Sequence, residues 1–370
     1  MKAAILGVGQ MGIAIAFAMK KLGFFVVGID SNERAAENFR KRINSEEGTF
    51  YLTDDTEEKG FANALSHEKP DIVISSLPYH QLEKPALWCI DNGVRYCDLG
   101  GKVNVSEKIN KYASTNASKP VFTDLGLAPG WVNILAEWGC SKMHGAQIDD
   151  VRMMVGGIPS QKINHPLDYV VTWSVDGLIN EYKDDCKIIK NGQIETVKGM
   201  DGLERINGGN FGMLEAFYTS GGASHTIEDM HERGVKNCAY RTIRYEGHRD
   251  IVKFLMDNLT GDCFRQVFEK GCNAAPNVVD VVLLRTFVKA KELVWDKDLL
   301  IVGEEGGLSG MQQATAFPIA SVAKLMAEGK LEGNMEQHRD YWTQFPNNLS
   351  YKNVPFEQFN NNLLALGLTV

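Results

Sequence analysis

Lys2-Ala-Ala-Ile-Leu-Gly7-Val-Gly9-Gln-Met-Gly12 is the stretch on which the reading turns. A short apolar strand runs straight into G-x-G-x-x-G, and an apolar helix pattern follows to Leu22. After a break at Gly23, Phe24-Phe-Val-Val-Gly-Ile29 makes a second strand that ends on Asp30. The motif therefore has its full context: strand, glycine turn, helix, second strand, and an acidic residue about twenty positions on. Gly7 allows the tight turn, Gly9 admits a pyrophosphate, and Gly12 lets the helix lie close on the strand. The N–H groups of Gln10 and Met11, at the positive end of the helix dipole, would face the phosphates. Asp30, followed by Ser31, can accept hydrogen bonds from an adenosine ribose, and its charge repels a 2′-phosphate. NAD is expected over NADP. Arg34, able to reach a phosphate or stack on adenine, keeps NADP as the lesser alternative.

Composition sets the outer limits. At 370 residues, two domains are expected from the usual ~100–200 residues each. Apolar residues at 44% and charged residues at 23% describe a globular chain with a large core. A net charge of −8 with no basic run argues against a nucleic-acid partner. No apolar run is long enough to span a membrane. The first strand starts at Lys2, and the seven cysteines are scattered with no CxxC pair. These features predict a cytoplasmic protein with reduced thiols and no metal site.

Strands and helices alternate through Asp124. Strands are expected at Gly48–Thr53, Asp71–Leu77, Arg95–Leu99 and Pro120–Asp124, with helices between them. Six strands in that alternation predict a Rossmann-type, doubly wound parallel sheet of α/β class. Ligands of such sheets lie outside the carboxyl ends of the strands. Asp54 is then placed to contact adenine, and Ser76, Leu77, Pro78, Tyr79 and His80 to lie near the nicotinamide. Asp98 and Asp124 end the fifth and sixth strands, and Gly126-Leu-Ala-Pro129-Gly turns the chain into a helix from Trp131. After Asp149 the pattern changes to strand-like segments. Among them is a hairpin, Cys186–Lys190 and Gln193–Val197, about Asn191-Gly192. A long helix returns at Met311. We expect residues 1–130, with roughly 306–370 packing back, to bind the dinucleotide. Residues 131–305 should form an α+β substrate domain on a mixed or antiparallel sheet.

On further motifs the chain resembles the saccharopine dehydrogenase superfamily, and within it the short lysine 6-dehydrogenases most. The matching stretches are GVGQMG at 7–12, SLPY at 76–79, YCDLGG at 96–101 and GLAPG at 126–130. They continue with VGGIP at 155–159, WSVDGLINEY at 173–182, TSGG at 219–222 and TIRYEGH at 242–248. The resemblance implies a substrate over the nicotinamide, roles for Tyr79 and Asp98, and a homodimer through the second domain's sheet. A cysteine common in the saccharopine reductases before the GL-x-PG turn is replaced here by Leu125, so any role it has is absent.

The residues can be read against the amine chemistry that the resemblance implies. Oxidising an amine needs a neutral amine, negative potential at the developing iminium, and an activated water. Asp98 and Asp124, taken to face the cleft, can supply the potential. Tyr79, His80 and His225 are candidates to relay protons. Arg241 and Arg244 are candidate clamps for a substrate carboxylate. Three apart on a strand, they point to opposite faces, and Arg244 is favoured. Ser220 and Gly221 offer either backbone N–H groups to an anion or a simple tight turn. The activity that the resemblance implies is NAD-dependent oxidation of L-lysine to allysine, which cyclises to a piperideine carboxylate, with release of ammonia. The alternatives are a saccharopine-type dehydrogenase acting on a secondary amine, and a non-catalytic NAD-binding sensor.

Overall fold

The computed structural model describes residues 1–53, 59–163, 165, 167–272, 278–331 and 347–370. The chain divides into two units, Met1–Ile134 with Thr315–Val370, and Leu135–Ala314.

The first unit opens with β1 (Lys2–Leu6), α1 (Gln10–Lys21), β2 (Phe25–Asp30), α2 (Glu33–Arg42) and β3 (Gly48–Leu52). It continues with α3 (Lys59–Glu68), β4 (Ile72–Ser75), α4 (Glu83–Asp91), β5 (Arg95–Asp98), α5 (Val103–Asn116) and β6 (Val121–Phe122). Helix α6 (Trp131–Ser141) leads into the second unit. The strands are short and apolar because both faces are covered: Ala4, Val27, Val73, Tyr96 and Val121 share one core cluster with Leu82, Ala86, Ile109 and Ala113. Gly12 is required at the first turn of α1, since a Cβ there would stand 1.9 Å from the Gly7 carbonyl oxygen.

The second unit contains β7 (Asp150–Pro159), α7 (Val175–Lys183), β8 (Cys186–Lys190), β9 (Gln193–Val197), β10 (Glu204–Asn207) and β11 (Met213–Tyr218). It goes on through α8 (Thr226–Glu232), β12 (Asn237–Tyr245), α9 (His248–Asn258), α10 (Gly261–Cys272), β13 (Asp280–Ala290) and β14 (Leu293–Val302). Its sheet runs β10-β11-β12-β7-β13-β14, with β8 pairing β12 and β9. Only β12 and β7 are parallel neighbours among these pairs, so the sheet is mixed. On one face, Phe217 and aromatic residues of α7 and α10 form a core cluster with Tyr169.

The long α11 (Gly310–Ala327) carries the chain back to the first unit, followed by β15 (Asn348–Leu349) and α12 (Phe356–Leu366). Strand β15 pairs in parallel with β6, giving the order β15-β6-β5-β4-β1-β2-β3. The sheet thus has seven strands where six were expected. The expected sixth strand, Pro120–Asp124, shrinks to Val121–Phe122 because Asp124 leaves the extended conformation (φ 60°). The seven cysteines are free thiols, all buried except Cys263. Among the described residues no helix is long and apolar enough to cross a membrane.

Candidate functional site

In the first unit the strand order reverses between β1 and β4, and the candidate residues gather at the carboxyl ends around that point. The Gly7 N–H bonds the Ile29 carbonyl, and the Ser76 N–H bonds the Leu6 carbonyl, so the glycine turn is flanked by the loops after β2 and β4. Within α1 the Ile13 N–H reaches Gly9, which leaves the earlier N–H groups outside the helical ladder. No side chain caps this end and no acidic residue lies in its first turn. Gly9 and Gln10 are exposed, Met11 is half-buried, and a Cβ on Gly9 would meet nothing within 4 Å. This cradle fits a dinucleotide pyrophosphate.

Asp30 ends β2 as expected, and its carboxylate is also part of the loop. One oxygen accepts the Val8 N–H at 2.6 Å and the other the Asn32 N–H at 2.9 Å. Ser31 and Arg34 are exposed beside it, while Asn32 caps α2. Asp54, expected near adenine, lies outside the described residues.

The strand-end carboxyls differ in exposure. Asp98 is 0% exposed, so it does not open onto a cleft as the sequence suggested. Its Oδ1 accepts the N–H groups of Gly100 (2.8 Å) and Asp124 (3.2 Å), and its Oδ2 is enclosed without a hydrogen bond. Burial, reinforced by the Asp124 charge, raises its pKa from 3.8 to about 7, against the backbone hydrogen bonds and the nearby Tyr96 hydroxyl. Asp124, 9% exposed, accepts the Ser106 hydroxyl at 2.6 Å. Gly100 is the second glycine the site requires: at φ 72°, its Cβ would lie 2.1 Å from Asp124 Oδ1.

Tyr79 lies in a 3-10 turn after β4, half-buried, with the Lys102 ammonium 5.5 Å from its ring centre. Its exposed neighbour His80 meets the ring edge-on at 5.5 Å. Leu77 is half-buried and Pro78 exposed. The Gly126 N–H is used by the Pro129 carbonyl, closing that turn on itself around a cis Ala128–Pro129 bond.

In the second unit, alternation sorts the two arginines as expected. Arg241 turns to Tyr218, its guanidinium 4.5 Å from the ring centre and hydrogen-bonded to the hydroxyl. Arg244 faces the other way and is only 4% exposed. Its Nε–H donates to the Tyr182 hydroxyl (2.9 Å), one Nη1–H donates to the Ile243 carbonyl (2.8 Å), and the fork lies 4.5 Å from the Tyr169 ring centre. His248 Nδ1 meets the Leu167 carbonyl at 2.8 Å, which requires the proton there. Its Nε2 therefore accepts from the Tyr182 hydroxyl at 3.0 Å. Burial, then the Arg244 charge, pushes this imidazole down to about 3.

The remaining candidates separate. Ser220 N–H bonds the Glu181 carbonyl and Gly222 N–H the Ser220 carbonyl, so the Thr219–Gly222 segment is a tight turn. Gly221 is exposed at its tip. His225 is half-buried at the start of α8, its Nε2 without a hydrogen bond. Sequence reasoning did not single out Lys102, Glu181, Tyr182 or His248. The last three stood inside quoted motifs, but the sequence does not show that the Tyr182 hydroxyl meets Arg244 and His248.

The family model described as the saccharopine dehydrogenase NADP binding domain matches residues 3–122, and that of the saccharopine dehydrogenase C-terminal domain matches residues 126–341. The chain is 30% identical over 135 residues to the mitochondrial alpha-aminoadipic semialdehyde synthase of Rattus norvegicus, covering 36% of this chain and 14% of that protein. It is 23% identical over 209 residues to a saccharopine dehydrogenase (NADP(+), L-glutamate-forming) of Schizosaccharomyces pombe, covering 55% and 46%. The chain thus matches less than half the length of either curated relative. An apo saccharopine dehydrogenase (L-Glu forming) from Saccharomyces cerevisiae superposes with a TM-score of 0.73 at 16% identity, covering 98% of this chain and 96% of that one. That likeness shows a common fold.

Proposed function

Because this chain belongs to the saccharopine dehydrogenase family, we propose that it is an NAD-linked oxidoreductase acting on an amino acid's carbon–nitrogen bond, with the side-chain amine of L-lysine as substrate. The observation that carries the reading is the pair Asp98 and Asp124, side by side at the strand ends next to the dinucleotide loop. Oxidation makes the amine-bearing carbon cationic, and fixed negative charge there favours the transition state. A bound nicotinamide would accept the hydride. The imine then takes up water, releasing ammonia and leaving allysine, which cyclises.

In this scheme Asp124 faces the substrate, and Asp98, fully enclosed, positions it through the Asp124 N–H. Tyr79 is the proton relay, with Lys102 above its ring. Arg244 is our candidate for the substrate carboxylate, since among the described residues only its Nε–H and one Nη1–H are hydrogen-bonded. NAD is preferred through Asp30, whose fixed charge repels a 2′-phosphate, although the matching family model is described as NADP-binding.

The test is reduction of NAD and of NADP by L-lysine at alkaline pH, followed as absorbance. We expect turnover with a higher kcat/KM for NAD. The second reading, saccharopine-type chemistry on a secondary amine, is favoured by the names of the relatives. Silence with lysine, but oxidation of NADPH when glutamate and an aldehyde acid are supplied together, would establish it instead. Dinucleotide binding with no turnover in either assay would indicate a sensor.

A further inference from the structure

Ser106 is the polar member of a buried stripe. Helix α5 buries Ser106, Ile109 and Ala113, whose spacing puts all three on the face turned to the core. At 1% exposure a hydroxyl there must find a partner or cost stability. It finds the Asp124 carboxylate, donating to Oδ1 at 2.6 Å. One helical turn on, Asn110 reaches the preceding residue, its Oδ1 accepting the Thr123 hydroxyl at 3.1 Å. Two consecutive side chains after β6 are therefore held by two residues one turn apart on α5.

The backbone of the same segment is held by β5. The Asp124 N–H reaches Asp98 Oδ1 at 3.2 Å, and the Leu125 N–H reaches the Asp98 carbonyl at 2.9 Å. Asp124 itself takes φ 60°, a conformation that side-chain-bearing residues keep only where their surroundings impose it. The turn after β5 also closes on Oδ1, since a Cβ on Gly100 would stand 2.1 Å from it. Oδ1 is thus set against both Ser106 and that turn. We infer that Ser106 is a positioning residue for the oxidation, fixing from α5 the direction in which the Asp124 carboxylate presents its charge. Asn110 supports it by anchoring Thr123. A hydrogen bond to an ionised acceptor is among the stronger kinds, and a misplacement of ~1 Å at a reacting centre can cost ~10²-fold in rate. The inference deepens the proposed function and rests on Asp124 acting at the reacting carbon. It holds whether the amine oxidised is primary or secondary.

Steady-state kinetics of Ser106→Ala and Ser106→Thr test it on the full chain, with L-lysine as substrate, or saccharopine if lysine is not turned over. Dinucleotide affinity is measured beside them by calorimetry. In Ser106→Ala kcat should fall about tenfold, with KM for the amine and Kd for the dinucleotide within about twofold, as for an interaction expressed in the transition state. Ser106→Thr keeps the hydroxyl and should recover kcat to within about threefold of the unsubstituted protein. A serine that served only the packing of α5 would give the reverse order, because alanine suits a helix interior better than threonine. Thr123→Val removes the hydroxyl that Asn110 accepts and should lower kcat by about threefold. If Ser106→Ala fails to fold, an unchanged kcat in Thr123→Val overturns the inference. A near-normal kcat in folded Ser106→Ala overturns it and leaves Asp124 in place. A loss confined to KM or to dinucleotide affinity overturns it too, as does an equal loss of kcat in Ser106→Thr. No turnover of either substrate by the unsubstituted protein removes the proposed function, and this inference with it.

Discussion

At the scale of single residues, Asp98 carries the clearest prediction. Its folded pKa, about 7, lies above the ordinary 3.8. The fold therefore favours the protonated acid, and stability present below about pH 4 is lost as pH rises towards 7. Asp98→Asn keeps an acceptor for Gly100 and Asp124 and removes the charge. It should raise the melting temperature more at pH 8 than at pH 5, as calorimetric scans would show. Its kcat for amine oxidation should fall by about ten- to a hundredfold with NAD affinity nearly unchanged, because the residue orients Asp124. Any limb near pH 7 in the kcat profile should vanish with it. Near-normal kcat in the variant would remove Asp98 from the mechanism. These carboxyls were legible in the sequence because each closes an apolar run, although the strand before Asp124 stops at Phe122. That Asp98 is wholly enclosed was not, since its enclosure depends on α4 and α5 covering the sheet. The opposition of Arg241 and Arg244 followed from strand alternation alone.

Among the elements, the hairpin is the one the sequence specifies to the residue. Asn191 (φ 51°) and Gly192 (φ 78°) both take positive φ, as a two-residue turn of this kind demands. Helix α7 is the opposite case. Only Leu178, Ile179 and Tyr182 are buried along its nine residues, too few to announce a helical period. Glu181, carried on that helix, stayed hidden with it. Strands β10 and β11 were obscured by the glycines between them, and β15 by its two-residue length. The start of α7 offers a direct probe, since the Ser174 side chain accepts the Gly177 N–H at 3.2 Å. Ser174→Ala should cost about 0.5–2 kcal/mol of stability in denaturant titration. It should also weaken amino-acid binding more than dinucleotide binding. Equal weakening of both would detach α7 from ligand recognition.

On the scale of the whole molecule, the doubly wound sheet and the mixed sheet were both legible, because local periodicity sets each. A homodimer through the second sheet, expected from the resemblance, remains our proposal. Strand β14 is the outer strand of that sheet and exposes Val294 (54%), Leu300 (52%) and Val302 (50%). Sedimentation should show a dimer that Leu300→Lys converts to monomer. A monomer before substitution, or a dimer indifferent to it, would place the contact elsewhere or abolish it. The position of β15 has a different consequence, one for synthesis. Its partner β6 is complete at Phe122, but Asn348 and Leu349 emerge only after the entire second unit has been translated. At ~5–20 residues per second the ribosome leaves the first sheet with an open edge for on the order of 10–45 s. During that interval the inserted unit can fold by itself, while the nucleotide-binding sheet waits for its last strand.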